Sequence, residues 1–427
     1  MKNIEVPALA RVEGEGGLFI GLQDGKAVEI RLDIYEPPRF FEGFLVGRFL
    51  QEVPDITARI CGICPVAYQM SSVYALERAL GVTIHPQARL LRRLMYCGEY
   101  IESHALHIYL LQAPDMLGVQ SALELAATAP DVVKNALRLK KIGNNLLKAI
   151  GGRSVHPVNV CVGGFYRWPK AADLKALLPD LEWGLAASIE CAKWAATLPY
   201  PDLEIDYEFV ALHHPNEYGV IEGEVLSSKG RVLTIPEYEN GYIEEHVKHS
   251  NALHSHTVDG STYLVGPLAR LNLNNQQLSP AAKQALKDTG VELPLKNPYK
   301  SLLARAIELV HFYEEAIQLV NSYKPEGRSY VNLKLKAGEG TGATEAPRGL
   351  LYHRYKIDDQ GLVTFAKITP PTAQNLPRIE ADLFALAPKI VEMPHEEATL
   401  TAEHLVRAYD PCISCATHFL KLKVENV

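Results

Sequence analysis

A chain of 427 residues with 47% hydrophobic content can bury an ordinary core and has room for two average domains or one large one. Its 43 basic and 50 acidic residues leave a formal net charge of -7, which gives no basis for nucleic-acid binding. Seven cysteines do not suggest a secreted disulfide scaffold, and the lack of an apolar leader or long apolar run predicts no signal peptide or membrane span and favours the cytoplasm.

The predicted elements begin with strands. Residues 18–22 and 28–34 flank Gln23-Asp24-Gly25-Lys26, and Asp-Gly suits a tight hairpin. Residues 66–80 read as a helix. A second helix is expected over 87–111, ending near Pro114, and a third over 131–150, closed by Gly151-Gly152. A fourth covers 189–198 before Pro199. These segments are rich in Leu and Ala and predict mutually buried helices. From Tyr207 the pattern turns to strands, giving a β-rich lobe around 207–269. Helix returns over 302–323 with a wide apolar stripe, and short strands and loops are expected over 330–369. No internal repeat or low-complexity tract stands out. The expected class is α+β, a single unit over 1–427 with a mostly helical core, a central long-helix bundle and peripheral antiparallel β regions.

The chemistry concentrates in two Cys-x-x-Cys pairs near opposite ends, Cys61-Gly62-Ile63-Cys64 and Cys412-Ile413-Ser414-Cys415. Each spacing can put two thiolates on one metal, and both pairs brought together by the fold make a four-sulfur site. One such pair alone reads as a redox pair or chance. Two pairs, each beside a proline, favour a metal. Spacing leaves zinc, copper(I), nickel and iron-sulfur all open. Structural zinc is the commonest of these, although a chain this long needs no metal staple. Cys97, Cys161 and Cys191 lack paired spacing and read as buried small side chains. His104 and His107 share a helical face and are expected to be packed or hydrogen-bonded rather than metal ligands. Gly338-Glu339-Gly340-Thr341-Gly342 opens no clear strand-turn-helix unit and supports a dinucleotide site only weakly.

The segments Arg59-Ile60-Cys61-Gly62-Ile63-Cys64-Pro65 and Asp410-Pro411-Cys412-Ile413-Ser414-Cys415-Ala416-Thr417-His418 resemble the first and last signature motifs of the large subunit of nickel-iron hydrogenases, and the resemblance extends over nearly the whole chain. It implies that family's large-subunit fold and reversible cleavage of dihydrogen into protons and electrons. It implies nickel bound by Cys61, Cys64, Cys412 and Cys415. Cys64 and Cys415 would bridge to an iron carrying carbon monoxide and cyanide. Glu13, in Arg11-Val12-Glu13-Gly14-Glu15, matches the proton-relay glutamate, with Glu15 where the family usually has histidine. Arg348, in Ala346-Pro347-Arg348-Gly349, would overhang the open side of the metal. Asp410 would lie beside the nickel. Arg59, Pro347 and Thr372 are expected around the metal ligands, with Thr372 donating to a cyanide as one reading and turn capping as the other. Glu42 and His418 would hold magnesium or a similar divalent cation.

Two departures stand out. Tyr68 replaces a histidine common in the family, and Ser103 replaces an aspartate common in membrane-linked relatives. Tyr68 resembles the soluble branch that exchanges electrons with NAD(P), including the sulfur-reducing archaeal type. The chain has no spare cysteines in cluster spacing. The resemblance therefore implies an iron-sulfur small subunit, diaphorase-type subunits with flavin and further clusters, and NAD(P) or ferredoxin beyond them. It also implies a maturation endopeptidase that cuts after His418. A non-catalytic hydrogenase-like subunit of a redox complex is the alternative, and retention of all four cysteines counts against it.

Overall fold

Apolar alternation around the Asp24 turn produces the hairpin that the pattern predicts. Gly16–Gln23 pairs antiparallel with Lys26–Ile34, from Gly16 opposite Ile34 to Gln23 opposite Lys26. Ile4–Val6 adds a third strand on the far edge. This is a computed structural model, and it describes residues 3–24, 26–119 and 121–417.

The helix Pro65–Leu80 starts on a proline and ends at Gly81, whose φ of 67° closes it. It is buried on nearly every side, as a helix in the middle of a core must be. Beyond it, Pro86–Leu106, Pro130–Gly151, Leu178–Ala196 and Ser301–Ser322 pack into the central bundle. Two boundaries differ from expectation. The second helix widens into a π-helical turn at His107–Gln112 before a short Ala113–Met116 segment. Pro114 has no N–H to return to the carbonyl four residues back, so the ladder changes register there. The fourth helix begins at Leu178 rather than 189, with a proline in its first turn, a start signal that the apolar count passed over.

The region 207–269 is only partly β. Val210–His213, Glu224–Ser227 and Val232–Leu233 form one antiparallel sheet. Tyr242–His246 and Leu253–Thr257 form a separate hairpin. Helical turns at Ile235–Glu237 and Tyr238–Gly241 lie between them, opened by a Thr234–Glu237 capping box. A helix, Pro267–Asn274, starts where strand was expected to continue.

Residues 330–369 hold longer strands than expected. Gly338–Ala346, Gly349–Ile357 and Val363–Thr369 make an antiparallel meander. Ala346 pairs with Gly349, so Pro347 and Arg348 form the tip of a hairpin. The glycine-rich run is therefore strand, neither a turn nor a dinucleotide loop. Its glycines face the helix Pro65–Leu80. A Cβ on Gly338, Gly340 or Gly342 would lie 2.5, 2.0 or 2.3 Å from the carbonyl oxygen of Ala79, Ala75 or Ser71, respectively. A strand repeat of two residues thus meets a helix repeat of four, backbone against backbone.

The C-terminal helices Pro371–Ile390 and His395–Ala408 lead to a last turn, Ile413–Ala416. One continuous apolar core runs from Ile4 to Ala416 and contains all four paired cysteines. Among the described residues no helix is long and apolar enough to cross a membrane.

Gly340→Ala puts a methyl group against a helix backbone that has no room to yield. Overpacking of this kind costs about 1–3 kcal/mol. The variant is expected to unfold at lower temperature by calorimetry, and an unchanged midpoint would show that the strand and helix are not in tight register.

Candidate metal centre

Cys64 is the residue just before the helix Pro65–Leu80, and Cys412 the residue just before Ile413–Ala416. These two helix starts face each other. The sulfur separations are 3.6 Å for Cys61–Cys412, 3.9 Å for Cys64–Cys415 and 2.6 Å for Cys412–Cys415. All four sulfurs lie within 4.8 Å of one another and are buried. A thiolate–metal bond of about 2.3 Å gives a tetrahedral edge of about 3.8 Å, so the two longer separations suit a shared ion. The Cys61 sulfur accepts the N–H groups of Ile63 at 3.3 Å and Cys64 at 3.2 Å. Hydrogen bonding from Cys412, then Cys415 and Cys64, pushes the Cys61 pKa well below its ordinary value, while burial first of all pushes Cys412 and Cys415 up. A cation would favour deprotonation of the remaining thiols.

Several contacts join the two distant segments. Glu13 and Cys412 form a parallel bridge, with the Ile413 N–H donating to the Glu13 carbonyl at 2.9 Å. The Glu13 carboxylate accepts from the Ser414 N–H at 3.2 Å and lies 3.0 Å from the Cys412 sulfur. Thr372, in the first turn of Pro371–Ile390, accepts the Cys412 N–H on its hydroxyl at 2.9 Å. Arg39 donates from one nitrogen to the carbonyls of both Ile60, at 2.7 Å, and Ser414. Glu99, on Pro86–Leu106, accepts the N–H groups of Val66 at 2.6 Å and Ala67 at 3.2 Å. It caps the Pro65–Leu80 helix from a neighbour and leaves the Cys64 sulfur free for a ligand role.

A fixed cation lies within electrostatic reach of the sulfurs. Arg348 donates through Nε to the Asp410 carbonyl at 2.8 Å and through Nη2 to its carboxylate at 2.9 Å. The remaining Nη1 is buried without a hydrogen-bond partner among the described residues. Cys412, Cys64 and Cys61 all act on this guanidinium electrostatically. Burial pulls the Asp410 pKa up, but Arg348, His107 and Arg305 together hold it below its ordinary value. Asp410 takes a positive φ of 54°, an unusual backbone state for a non-glycine residue.

A family model described as nickel-dependent hydrogenase matches residues 39–153 and 224–418. The alpha subunit of sulfhydrogenase 1 from Pyrococcus furiosus is 35% identical over 99% of this chain and 100% of that protein. This chain belongs to the nickel-dependent hydrogenase family. The beta subunit of the NAD-reducing hydrogenase HoxS from Cupriavidus necator is 28% identical over 98% of this chain and 95% of its own length. The fold superposes on an NAD+-reducing [NiFe]-hydrogenase in its H2-reduced state with a TM-score of 0.89, at 26% identity and covering 98% of this chain and 100% of that one. The [NiFeSe]-hydrogenase of Dm. baculatum gives 0.78 at 25% identity, covering 98% and 100%. The protein is thus an oxidoreductase, the catalytic subunit of a nickel-iron-type hydrogenase within a heteromeric complex, and the expected α+β large-subunit fold is present.

Other residues expected near the hydrogenase centre differ in their placement. Tyr68 is fully buried, and burial followed by the charge of Cys415, Cys64 and Cys412 pushes its phenol pKa up, so it stays neutral. Ser103 is buried on Pro86–Leu106, and its hydroxyl has no hydrogen-bond partner among the described residues. The Pro347 carbonyl accepts from Arg270 at 2.8 Å, and Arg270 pairs with the fully buried Glu308 and Glu345. Arg59 turns outward and pairs with Asp55 at 3.1 Å, its side chain 42% exposed; it follows the helix Val53–Ala58, and Asp55 lies one turn back. Glu42 accepts the Ile368 N–H at 2.8 Å, and His418 lies outside the described residues. His104 bonds Glu308 at 2.7 Å and His107 bonds the Arg407 carbonyl at 2.9 Å, as packed helix histidines. Cys97, Cys161 and Cys191 are free and buried.

Sequence reasoning missed Arg39, Glu99 and Arg305. Arg39 had a signal in its place beside Glu42, but Glu99 and Arg305 carry no motif and are found only through their partners. Arg39→Ala removes the side-chain donor that reaches both carbonyls. The purified variant is expected to keep its fold but retain several-fold less nickel by elemental analysis. Full nickel would show that the two cysteine segments hold together without it.

Proposed function

We propose that this chain cleaves dihydrogen reversibly at a nickel-iron centre held by Cys61, Cys64, Cys412 and Cys415, with Cys64 and Cys415 shared with the iron. The observation that carries this is a buried four-thiol set with a carboxylate, Glu13, 3.0 Å from one sulfur. When bound, the centre supplies the Lewis-acid and redox chemistry that breaks the H–H bond, with carbon monoxide and cyanide on iron. The donors fit such a centre, being soft, buried and close together.

The chain's own groups divide the remaining work. Glu13 is placed to take a proton at its Oε2 from the Cys412 sulfur and pass it outward. Arg348, held on two sides by Asp410, keeps a positive charge over the open face of the sulfurs. Thr372 accepts from the Cys412 N–H, which leaves its own hydroxyl proton free to donate to a cyanide. Tyr68 offers a neutral phenol at the same wall. Glu42 and His418 would hold magnesium or a similar divalent cation that braces the C-terminal segment.

Among the described residues the four thiols form the one cysteine cluster, so the electrons must leave through another chain. An iron-sulfur small subunit fits that need. The likeness to chains described as NAD-reducing favours flavin- and cluster-bearing diaphorase subunits beyond it and NAD(P) or ferredoxin as acceptor. A maturation endopeptidase acting after His418 and a cytoplasmic location complete the reading.

The assembled complex is expected to consume dihydrogen with an artificial acceptor, and full nickel and iron occupancy without turnover would overturn the proposal. Glu13→Gln keeps the shape of the side chain but cannot cycle a proton. Nickel should remain, while isotope exchange between dihydrogen and water falls by about 10²–10⁴-fold; undiminished exchange would remove Glu13 from the proton path. Arg348→Lys keeps the charge but loses the fork to Asp410. Metal content should stay near normal and hydrogen uptake fall by about 10²-fold or more, whereas a normal rate would show that the guanidinium is not required.

A further inference from the structure

A second cluster of metal-ligating side chains lies apart from the cysteines. The helix Pro371–Ile390 presents Glu380 to the hairpin of Tyr242–His246 and Leu253–Thr257. His249, in the connection of that hairpin, lies 2.9 Å through Nε2 from Glu380 Oε1. His254, on the second strand, places Nδ1 4.0 Å from Glu380 Oε2. One donor atom from each of the three residues falls within 4.8 Å of the others.

His254 is the informative member. It is 2% exposed. Its Nδ1 is beyond hydrogen-bond reach of Glu380, and its Nε2 is buried with no hydrogen-bond partner among the described residues. An unpartnered buried ring nitrogen such as Nε2 is costly, and the 4.0 Å between Nδ1 and Glu380 Oε2 is too long for a hydrogen bond. It is short enough for two ligands of one ion, because metal bonds of about 2.0–2.2 Å place two ligand atoms at most about 4.4 Å apart when they lie on opposite sides of it. Burial lowers the pKa of His254 to about 3, which keeps the ring neutral and able to bind a cation. Glu380 Oε1 is already oriented by the Leu32 N–H at 2.8 Å, the kind of outer contact that fixes a ligating carboxylate. His249 is 23% exposed at its side chain and Glu380 16%, so water can reach the site and complete the coordination.

We propose that His249, His254 and Glu380 bind a divalent transition cation of the zinc class. Two imidazoles and one carboxylate suit such an ion, whereas magnesium and calcium prefer an all-oxygen set. The ion would tie three elements together: the hairpin, the strand Lys26–Ile34 through Leu32, and the helix Pro371–Ile390. The first turn of that helix carries Thr372, which holds Cys412. Glu380 lies about two helical turns, roughly 12 Å, along the helix from Thr372, so the site is a brace on the same helix, and its existence does not depend on the proposed hydrogen chemistry.

The test uses the assembled complex, dialysed against a chelator, re-equilibrated with zinc chloride and desalted. Zinc, nickel and iron are then counted per chain. The wild type should bind one more zinc than His254→Gln, His249→Gln or Glu380→Gln, with nickel and iron equal in all four. X-ray absorption at the zinc edge should show that the lost equivalent had nitrogen and oxygen neighbours. Zinc should also raise the thermal midpoint of the wild type more than that of Glu380→Gln. Should the buried His254→Gln fail to fold, the more exposed His249→Gln reads out the same difference. Equal zinc in the wild type and His249→Gln, or a lost equivalent with sulfur neighbours, would overturn the proposal.

Discussion

The meeting of residues 61–64 with residues 412–415 is the contact on which the rest of the structure depends. The sulfurs themselves supply little of it before a metal binds, because burial favours the neutral form of Cys64, Cys412 and Cys415 and four buried thiolates would repel one another. Backbone and side-chain hydrogen bonds hold the two segments in place instead. Glu13 bridges to Ile413 and Ser414, Thr372 receives Cys412, and Arg39 holds Ile60 and Ser414 together. These three residues come from the N-terminus, the stretch before the first cysteines and a C-terminal helix. No local piece of the chain can hold the site alone.

Buried charge has a similar purpose around the hairpin tip at Pro347 and Arg348. Arg270, Glu308, Glu345 and His104 form a network with no exposed member. Taking such charges out of water gains little stability overall, but removing one partner leaves the other unpaired at about 3–5 kcal/mol. The network therefore acts as a positional lock. Arg270 binds the carbonyls of Ala346 and Pro347, and so the tip that carries Arg348 cannot drift. Asp410 then holds the guanidinium from the opposite chain segment. A cation fixed from two directions needs no reorganisation when charge develops beneath it.

Close backbone packing links this lock to the cysteines. The strand Gly338–Ala346 lies directly on the helix that follows Cys64, with glycines at alternate positions so that the helix carbonyls can approach. Hairpin tip, helix start and sulfur site are thus joined through one strand and one helix in direct backbone contact. A side chain at Gly340 would push apart the two elements that carry Arg348 and Cys64.

Spacing and residue type were enough to single out the four thiols, because metal chemistry demands particular atoms at short intervals, whereas Glu13, Arg348, Asp410 and Thr372 were picked out only by the resemblance of their segments to hydrogenase motifs. Helical and strand periodicity likewise placed the long bundle helices and the N-terminal hairpin, since a one-sided apolar stripe records which face is buried. Other features have no local mark. Arg59 and Arg39 are both arginines beside a motif, yet one ends on the surface with Asp55 and the other joins the two metal-binding segments. Glu99 caps a helix from a different helix, and the glycines at 338–342 read as a loop until a helix is laid against them. The His249, His254 and Glu380 cluster spans a hairpin and a helix more than a hundred residues apart in the chain. Such contacts are set by where the backbone brings distant groups, a property of packing that no interval along one strand or helix encodes.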